Sequence, residues 1–330
     1  MNMILGLTCI SEELKEKDKK KYSFRTMTRK RFNDLCVKDG RDEAIRELST
    51  RILHNVRTTR YIIRHCIHNN ILHYRLSSAL FPLVTDESSD VSYEDLPNRF
   101  EIEEELAFAG KIAKQFNLSI GSHPDQFVVL ASANENAVKN SINELNFQAN
   151  IFDMIGLPQD HTAPMNIHIN YNPKDDETLE DVAERFFNNL MKCDSGVYNR
   201  LTIENEDKCF FNIDNCIKFS EYLFNKYNHN LPICADNLHH KCNPSEVADF
   251  TWQAERCAYT WVNNGNFISP VFHWSEGKPE KPRSHADYVA FGNFPPHIAI
   301  DPDKPAIYEI ETKAKDKAIK LLQQQMAGVI

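Results

Sequence analysis

The chain has 330 residues, 42% hydrophobic and 26% charged, enough to bury a large core and too apolar for a disordered polymer. No apolar run nears the ~20 residues of a membrane helix, and residues 1–6 are too short, with no basic residue ahead of them, for the apolar region of a signal peptide. Nine scattered cysteines, an odd number with no C-x-x-C pair, exclude a zinc knuckle and a disulfide framework and read as reduced thiols; the net charge of −9 by itself disfavours a nucleic-acid partner.

The first strand candidate is residues 3–9 (MILGLTC), followed at 15–31 by the run KEKDKKKYSFRTMTRKR. Residues 1–75 carry 17 Lys and Arg against 9 Asp and Glu, which leaves −17 for the rest of the chain. A solvated basic loop and a surface that meets phosphates both fit that run. Residues 72–78 (LHYRLSS) form the second strand candidate. A helix is expected over 101–116, where Ile102, Leu106, Ala109, Ala113 and Phe116 make one stripe. The third strand candidate is 119–124 (SIGSHP). A helix over 137–155 follows, with Ser132 and Glu135 as a capping-box pair, Gly156 as the stop and Pro158 beyond.

Strands at 165–170 (MNIHIN) and 201–207 (LTIENED) bracket a helix at 175–190, and a helix at 214–227 leads to a strand at 231–237 (LPICADN). Asn243-Pro244-Ser245-Glu246 supplies an N-cap, a proline for the first helical position and an acidic residue, predicting a helix to about Val262. The last strands are 267–275 (FISPVFHWS) and 306–312 (AIYEIET), joined through a Pro- and Lys-rich loop and a brief helical stretch over 285–291. Eight strands alternating with helices imply parallel pairing and right-handed crossovers, hence a closed (β/α)8 TIM barrel, of the α/β class. The alternative is a doubly wound open sheet, and no G-x-G-x-x-G follows the first strand. No composition break divides the chain, so residues 1–330 are read as a single domain.

The chemistry concentrates at the strand ends. Strand three ends at His123, strand four carries His168, strand five Glu204 and Asn205, and strand six ends at Asp236 with His239 three residues on. Strand seven carries His273, with His285 in the loop beyond, and strand eight ends at Glu311. In a barrel all C-terminal strand ends open on one face, so these residues converge. Any one histidine or glutamate of this kind reads singly as a hydrogen-bonded or ion-paired residue. Six consecutive strands each offering one point instead to divalent metal, which imidazole and carboxylate bind. Eight such groups exceed one four-coordinate ion, so the expectation is two or three metals sharing a carboxylate and acting on a phosphodiester. Glu204, on the strand midway among the ligand-bearing ones, is the expected bridge.

At these residues the sequence resembles the UV-damage endonuclease (UvdE) family. The likeness lies in Ser122-His123-Pro124-Asp125-Gln126-Phe127, Ile203-Glu204-Asn205-Glu206-Asp207 and Ala235-Asp236-Asn237-Leu238-His239-His240. It continues in His273 with His285, Ile310-Glu311-Thr312-Lys313, Arg75-Leu76-Ser77-Ser78 with Phe81-Pro82, and Phe24-Arg25-Thr26. The resemblance implies a TIM barrel with a multi-metal site, similar to the barrel of the apurinic-site endonuclease IV group. It also implies the activity of the UvdE family, which cuts the DNA strand 5′ to a lesion such as a pyrimidine photoproduct and leaves a 3′-hydroxyl. By motif match the metal ligands are His123, His168, Glu204, Asp236, His239, His273, His285 and Glu311, with Glu204, His239 and Glu311 expected to carry the catalysis. Mn²⁺ is the expected ion, with Zn²⁺ or Mg²⁺ as alternatives. The sequence departs from some relatives at Leu7, Ser11 and Val271.

Damaged double-stranded DNA is the expected partner, contacted by Gln126, Phe127, Arg25, Lys281 and Arg283, and the protein is expected to act as a monomer in the cytoplasm, or in the nucleus of a eukaryote. Gln126 and Phe127, three and four residues past His123, would occupy the space a damaged base leaves. An isolated Phe in Phe127-Val128-Val129-Leu130 would otherwise read as core. The rivals are an abasic-site endonuclease or a metal-dependent sugar isomerase on the same barrel, and a lesion-binding protein without chemistry. Basic loops favour a phosphate backbone over a small polyol.

Overall fold

The structure, a computed structural model, describes residues 3–124, 127–174, 176–298 and 300–329. Eight parallel strands run β1 (Met3–Thr8), β2 (His73–Leu76), β3 (Ser119–Ser122), β4 (Met165–His168), β5 (Leu201–Glu204), β6 (Ile233–Cys234), β7 (Val271–Trp274) and β8 (Ala306–Ile310). They lie in the order β6-β5-β4-β3-β2-β1-β8-β7, and a parallel bridge between Asp236 and His273 joins the two outermost strands. The sheet therefore closes into the expected barrel. Every strand is buried on both faces, as crossover helices require of parallel sheets.

Three helical expectations shift at their starts. Glu135–Ile155 is capped by Asn134, whose side chain accepts from Asn136 and Ala137, while the expected partner Ser132 turns its hydroxyl to Asn134 N. Leu179–Leu190 begins at the Thr178–Asp181 capping box, later than expected. The third, 243–262, is overturned in its first half. Asn243 donates to the Glu206 and Cys209 carbonyls, and Ser245 Oγ and the Glu246 amide bind Asp214. Those bonds tie the segment to the neighbouring helix Ile213–Tyr227, and a helix forms only over Phe250–Ala258, capped by Asp249.

Two loops also differ from expectation. Residues 15–31 are a loop only over 23–28: Ser11, Asp18 and Thr28 each accept an amide hydrogen and cap the helices Glu12–Lys17, Lys19–Tyr22 and Arg29–Asp39 on either side of it. The helix Arg41–His68 then returns the chain to β2, burying Leu48, Ile52, Val56 and Ile63 against the barrel. The helical stretch expected at 285–291 does not form: His285 ends an antiparallel hairpin, Gly277–Lys278 with Lys281–His285, and residues 286–291 are irregular backbone. Gly277 permits it, since a Cβ there would lie 2.0 Å from the Pro282 carbonyl oxygen. Past the hairpin, Ala286 and Asp287 accept from the amides of Lys313 and Ala314 just beyond β8. The loop is thereby laid along the rim where the strands end.

Candidate metal centre

Inward side chains of a closed barrel stack in layers, and here two successive layers are polar. In the lower one, strand register aligns His73 with Gly6, Gly6 with Glu309, and Glu309 with His273. A Cβ on Gly6 would lie 2.8 Å from His73 Cδ2, so the glycine leaves room for the imidazole. His73 Nε2 thus reaches Glu309 Oε1 across β1 at 2.9 Å, and His273 Nε2 stands 3.1 Å from Glu309 Oε2. Arg75 Nη1 lies 2.8 Å from Glu309 Oε2 and 2.5 Å from Glu311 Oε1, linking this layer to the one above.

Glu204 is the centre of the upper layer and is 1% exposed. Its Oε2 lies 3.0 Å from His123 Nε2 and 3.9 Å from His168 Nε2; its Oε1 lies 3.0 Å from His239 Nδ1 and 3.2 Å from His273 Nδ1. Asn166 donates to Oε2 at 2.7 Å and is itself held by the Thr202 hydroxyl at 3.1 Å. Asn205 exchanges two hydrogen bonds with the Asp236 backbone, fixing the end of β6 beside β5. Asp236 Oδ1 then caps the short helix Asn237–Cys242 by accepting from His239 N at 2.6 Å, which orients His239 inward. Asp236 Oδ2 faces His273 Nδ1 at 3.6 Å, and Glu311 Oε1 is 3.8 Å from the same nitrogen. Among the described residues His285 touches the cluster from the hairpin end only through Glu311, its Nε2 3.5 Å from Oε2.

Among the described residues, donor atoms within 4.8 Å of one another form four overlapping sets at this mouth, three of them of histidine and carboxylate alone: His123–His168–Glu204, Glu204–Asp236–His239 and Asp236–His273–Glu311. Glu204 belongs to the first two and Asp236 to the last two, the arrangement expected of bridging carboxylates. A fourth set, Glu204–Cys234–His273, includes a thiol that burial pushes up to about 12. His168 Nδ1, His273 Nδ1 and Asp236 Oδ2 are buried without a hydrogen-bond partner among the described residues. Each such atom costs about 1–3 kcal/mol unless something satisfies it. A divalent cation fits that donor set.

The electrostatics point the same way. Burial alone would raise the Glu204 pKa, yet His273, His168 and the hydrogen bonds from His123 and His239 hold it well below the usual carboxylate range. Burial pulls His168 down to about 4. At His239 the pull of burial is overcome by Asp236 and Glu204, which raise it to about 11. A carboxylate cluster that protonates a buried imidazole at neutral pH is short of positive charge. Metal binding supplies that charge and releases the proton.

All eight candidate ligands therefore come together, His285 at the edge. Glu309 was not anticipated, nor was the part played by Arg75. His73, inside the second strand candidate but absent from the expected ligand ring, is a buried β2 residue beneath the site. The signal was present: His73 and Arg75, like Glu309 and Glu311, are two residues apart and so share the inward face. His240 is buried with its Nε2 3.1 Å from the Ala248 carbonyl, away from the cluster.

Of the expected DNA-contacting residues, Gln126 lies outside the described residues. Phe127 is 77% exposed while Val128 and Leu130 are buried, so the core packing an isolated phenylalanine would suggest does not occur. Lys281 and Arg283 are exposed on the rim hairpin, Arg283 lying 3.4 Å from Asp207. The Arg25 side chain is exposed while its backbone amide is fixed by Asn55. Leu7 and Val271 are buried, and Ser11 caps the first helix and binds Asp316. No helix among the described residues is long and apolar enough to cross a membrane.

The profile of the UV-endonuclease UvdE family matches residues 3–329. A UV DNA damage endonuclease of Nostoc sp. is 32% identical over 325 residues, covering 97% of this chain and 89% of the relative. One from Bacillus pumilus is 26% identical, covering 92% and 89%. Among solved structures, the crystal structure of SacUVDE superposes with a TM-score of 0.75 at 24% identity, covering 99% of this chain and 100% of that one. Endonuclease IV from Thermus thermophilus superposes with a TM-score of 0.52 at 12% identity, covering 82% and 95%. Both structural likenesses concern the fold.

Proposed function

The chain belongs to the UV-endonuclease UvdE family, and on that premise we propose that it is a metal-dependent phosphodiesterase that nicks duplex DNA 5′ to ultraviolet photoproducts and leaves a 3′-hydroxyl. The observation that carries this reading is the chain of three histidine–carboxylate donor sets at the barrel mouth, linked by Glu204 and Asp236. We assign His123, His168, Glu204, Asp236, His239, His273, His285 and Glu311 as ligands of two or three divalent ions, Mn²⁺ foremost and Zn²⁺ or Mg²⁺ as alternatives. Ions held there would supply water activation and charge neutralisation for an in-line phosphoryl displacement.

The chain's own residues prepare that chemistry. Glu204 and Asp236 hold the imidazoles at fixed spacing, Asn166 and Asn205 hold those carboxylates, and Arg75 keeps Glu311 turned inward. Arg25, Lys281 and Arg283 supply phosphate contacts that position the duplex without reading its sequence. Gln126 and Phe127 fill the space of an unstacked lesion, and the exposure of Phe127 supports that role.

Product mapping tests the proposal. A labelled duplex with one photoproduct should be cut on the 5′ side of the lesion, and a polymerase should extend the new end. A cut 3′ to the lesion, or cutting confined to an abasic duplex, would contradict the assignment. The Gln126→Ala/Phe127→Ala variant should keep bound metal and melting temperature but lose roughly 10- to 100-fold in cleavage of the lesion duplex, since a stacked base is worth about 1–3 kcal/mol. Wild-type cleavage by that variant would remove the pair from recognition.

A further inference from the structure

Lys315, between β8 and the helix Asp316–Met326, has a backbone at φ 53° and ψ −125°. This left-handed region costs a side-chain-bearing residue about 1–3 kcal/mol and persists only where surrounding structure over-determines it. Here it does. The Lys315 carbonyl accepts from the amides of Ala318 and Ile319 at 3.0 and 3.1 Å. The next residue, Asp316, is fully buried and accepts from the Ser11 hydroxyl, from Glu12 N at 2.8 Å and from Glu13 N at 3.4 Å, with His65 Nε2 at 2.9 Å. The Glu13–His65–Asp316 cluster thus locks the start of this helix to the first one. Its oxygens are occupied by hydrogen bonds and by Lys320, so it does not read as a second metal site.

What the strained backbone presents is the Lys315 ammonium. Its Nζ donates at 3.0 Å to the hydroxyl of Thr8, the buried last residue of β1. No carboxylate lies within 4.0 Å of it among the described residues, whereas its neighbours Lys317 and Lys320 pair with Glu16 and Glu13. The group is half-buried, and burial draws its pKa below that of a free lysine, with Arg75 acting in the same direction and Cys9 and Glu311 opposing. An ammonium has three donors, and one hydroxyl takes one of them. Glu311 and Glu12 act on it only from beyond 4.0 Å, and a cation kept at the rim against a local backbone cost, near Arg75, with no carboxylate in ion-pair contact among the described residues, is built for an anion that arrives from outside.

We propose that Lys315 is a phosphate-binding residue of the barrel mouth, which holds a backbone phosphodiester of the DNA over the ends of β1 and β8. The proposal rests on the DNA-cutting reading above and adds a contact outside the metal ligands. A free phosphate ion offers the same chemistry, and the DNA backbone is distinguished from it by linkage: a duplex binds through several contacts at once, so losing one shallows its salt dependence.

Lys315→Gly and Lys315→Met separate this role from a structural one. Glycine relieves the strained backbone and methionine keeps the length without the charge. Both are compared with wild type by melting temperature, and by titration of a lesion duplex and of inorganic phosphate, in chelator so that no cutting occurs. Lys315→Gly should melt at or above wild type and Lys315→Met close to it. Both should bind the duplex roughly tenfold more weakly, with a log–log salt slope shallower by about one, and inorganic phosphate should compete only at concentrations far above the duplex. Wild-type affinity and slope in both variants would overturn the proposal, as would a fall in melting temperature that accounts for the weaker binding. Inorganic phosphate that displaces duplex at equal concentration would overturn the assignment to DNA. A wild-type chain that binds no duplex would fail the parent reading, and the proposal with it.

Discussion

Glu204→Gln is expected to lower the cleavage rate by at least ~10²-fold while the barrel stays folded, the size of effect that follows when a site built on bound metal is disturbed. The substitution preserves shape and removes charge. In the native site both carboxylate oxygens are committed, one to His123 and Asn166, the other to His239 and His273. An amide offers one acceptor where two are needed, and its nitrogen opposes donors already present. Three of the four donor sets at the mouth contain Glu204, so bound metal should fall by at least one ion per chain alongside the rate. Metal analysis and single-turnover cleavage on the same preparation measure both. Wild-type turnover in the variant would take Glu204 out of the mechanism.

Arg75→Met should destabilise the metal-free protein by about 3–5 kcal/mol, the usual result of removing one partner from a buried ion pair. The guanidinium is the only arginine or lysine paired with Glu309 and Glu311 among the described residues, lying 2.8 and 2.5 Å from their oxygens. It is the leading cause that offsets burial at both carboxyls, which stand well below their usual range. Without it, Glu309 retains His73 and His273 but Glu311 keeps only imidazoles at longer range. Denaturant unfolding in chelator should show a lower midpoint at unchanged slope. Arg75→Met/Glu309→Gln should recover part of the loss, because the second change removes one of the stranded charges. A single variant as stable as wild type would show that these carboxylates are balanced by histidine alone.

The barrel was legible because each strand is a short apolar run followed by polar residues, and the ligand ring because those polar residues sit where parallel strands all point the same way. The layer beneath was less so. Attention to strand ends passes over Glu309 and His73, although alternation in Glu309-Ile310-Glu311 and His73-Tyr74-Arg75 puts them on the inward face. Gly6 was equally silent, since only the register shows that its missing side chain lets His73 and Glu309 meet. Local grammar misled where tertiary bonds outbid it: Asn243-Pro244-Ser245-Glu246 has the composition of a helix start, but its polar groups bind the Asp214 end of the preceding helix. In the basic segment, charge hid three ordinary N-caps, Ser11, Asp18 and Thr28. The strain at Lys315 has no sequence signature, because nothing in a lysine announces a positive φ.

The most direct test of the account is nicking of ultraviolet-irradiated supercoiled plasmid by the purified chain, with and without chelator and with Mn²⁺ added back. Conversion to the relaxed circle should occur in irradiated plasmid only, cease in chelator and return with Mn²⁺. Nicking that persists after complete removal of metal, with the ion content verified on the same sample, would contradict the claim that the Glu204–Asp236 cluster works by holding divalent ions.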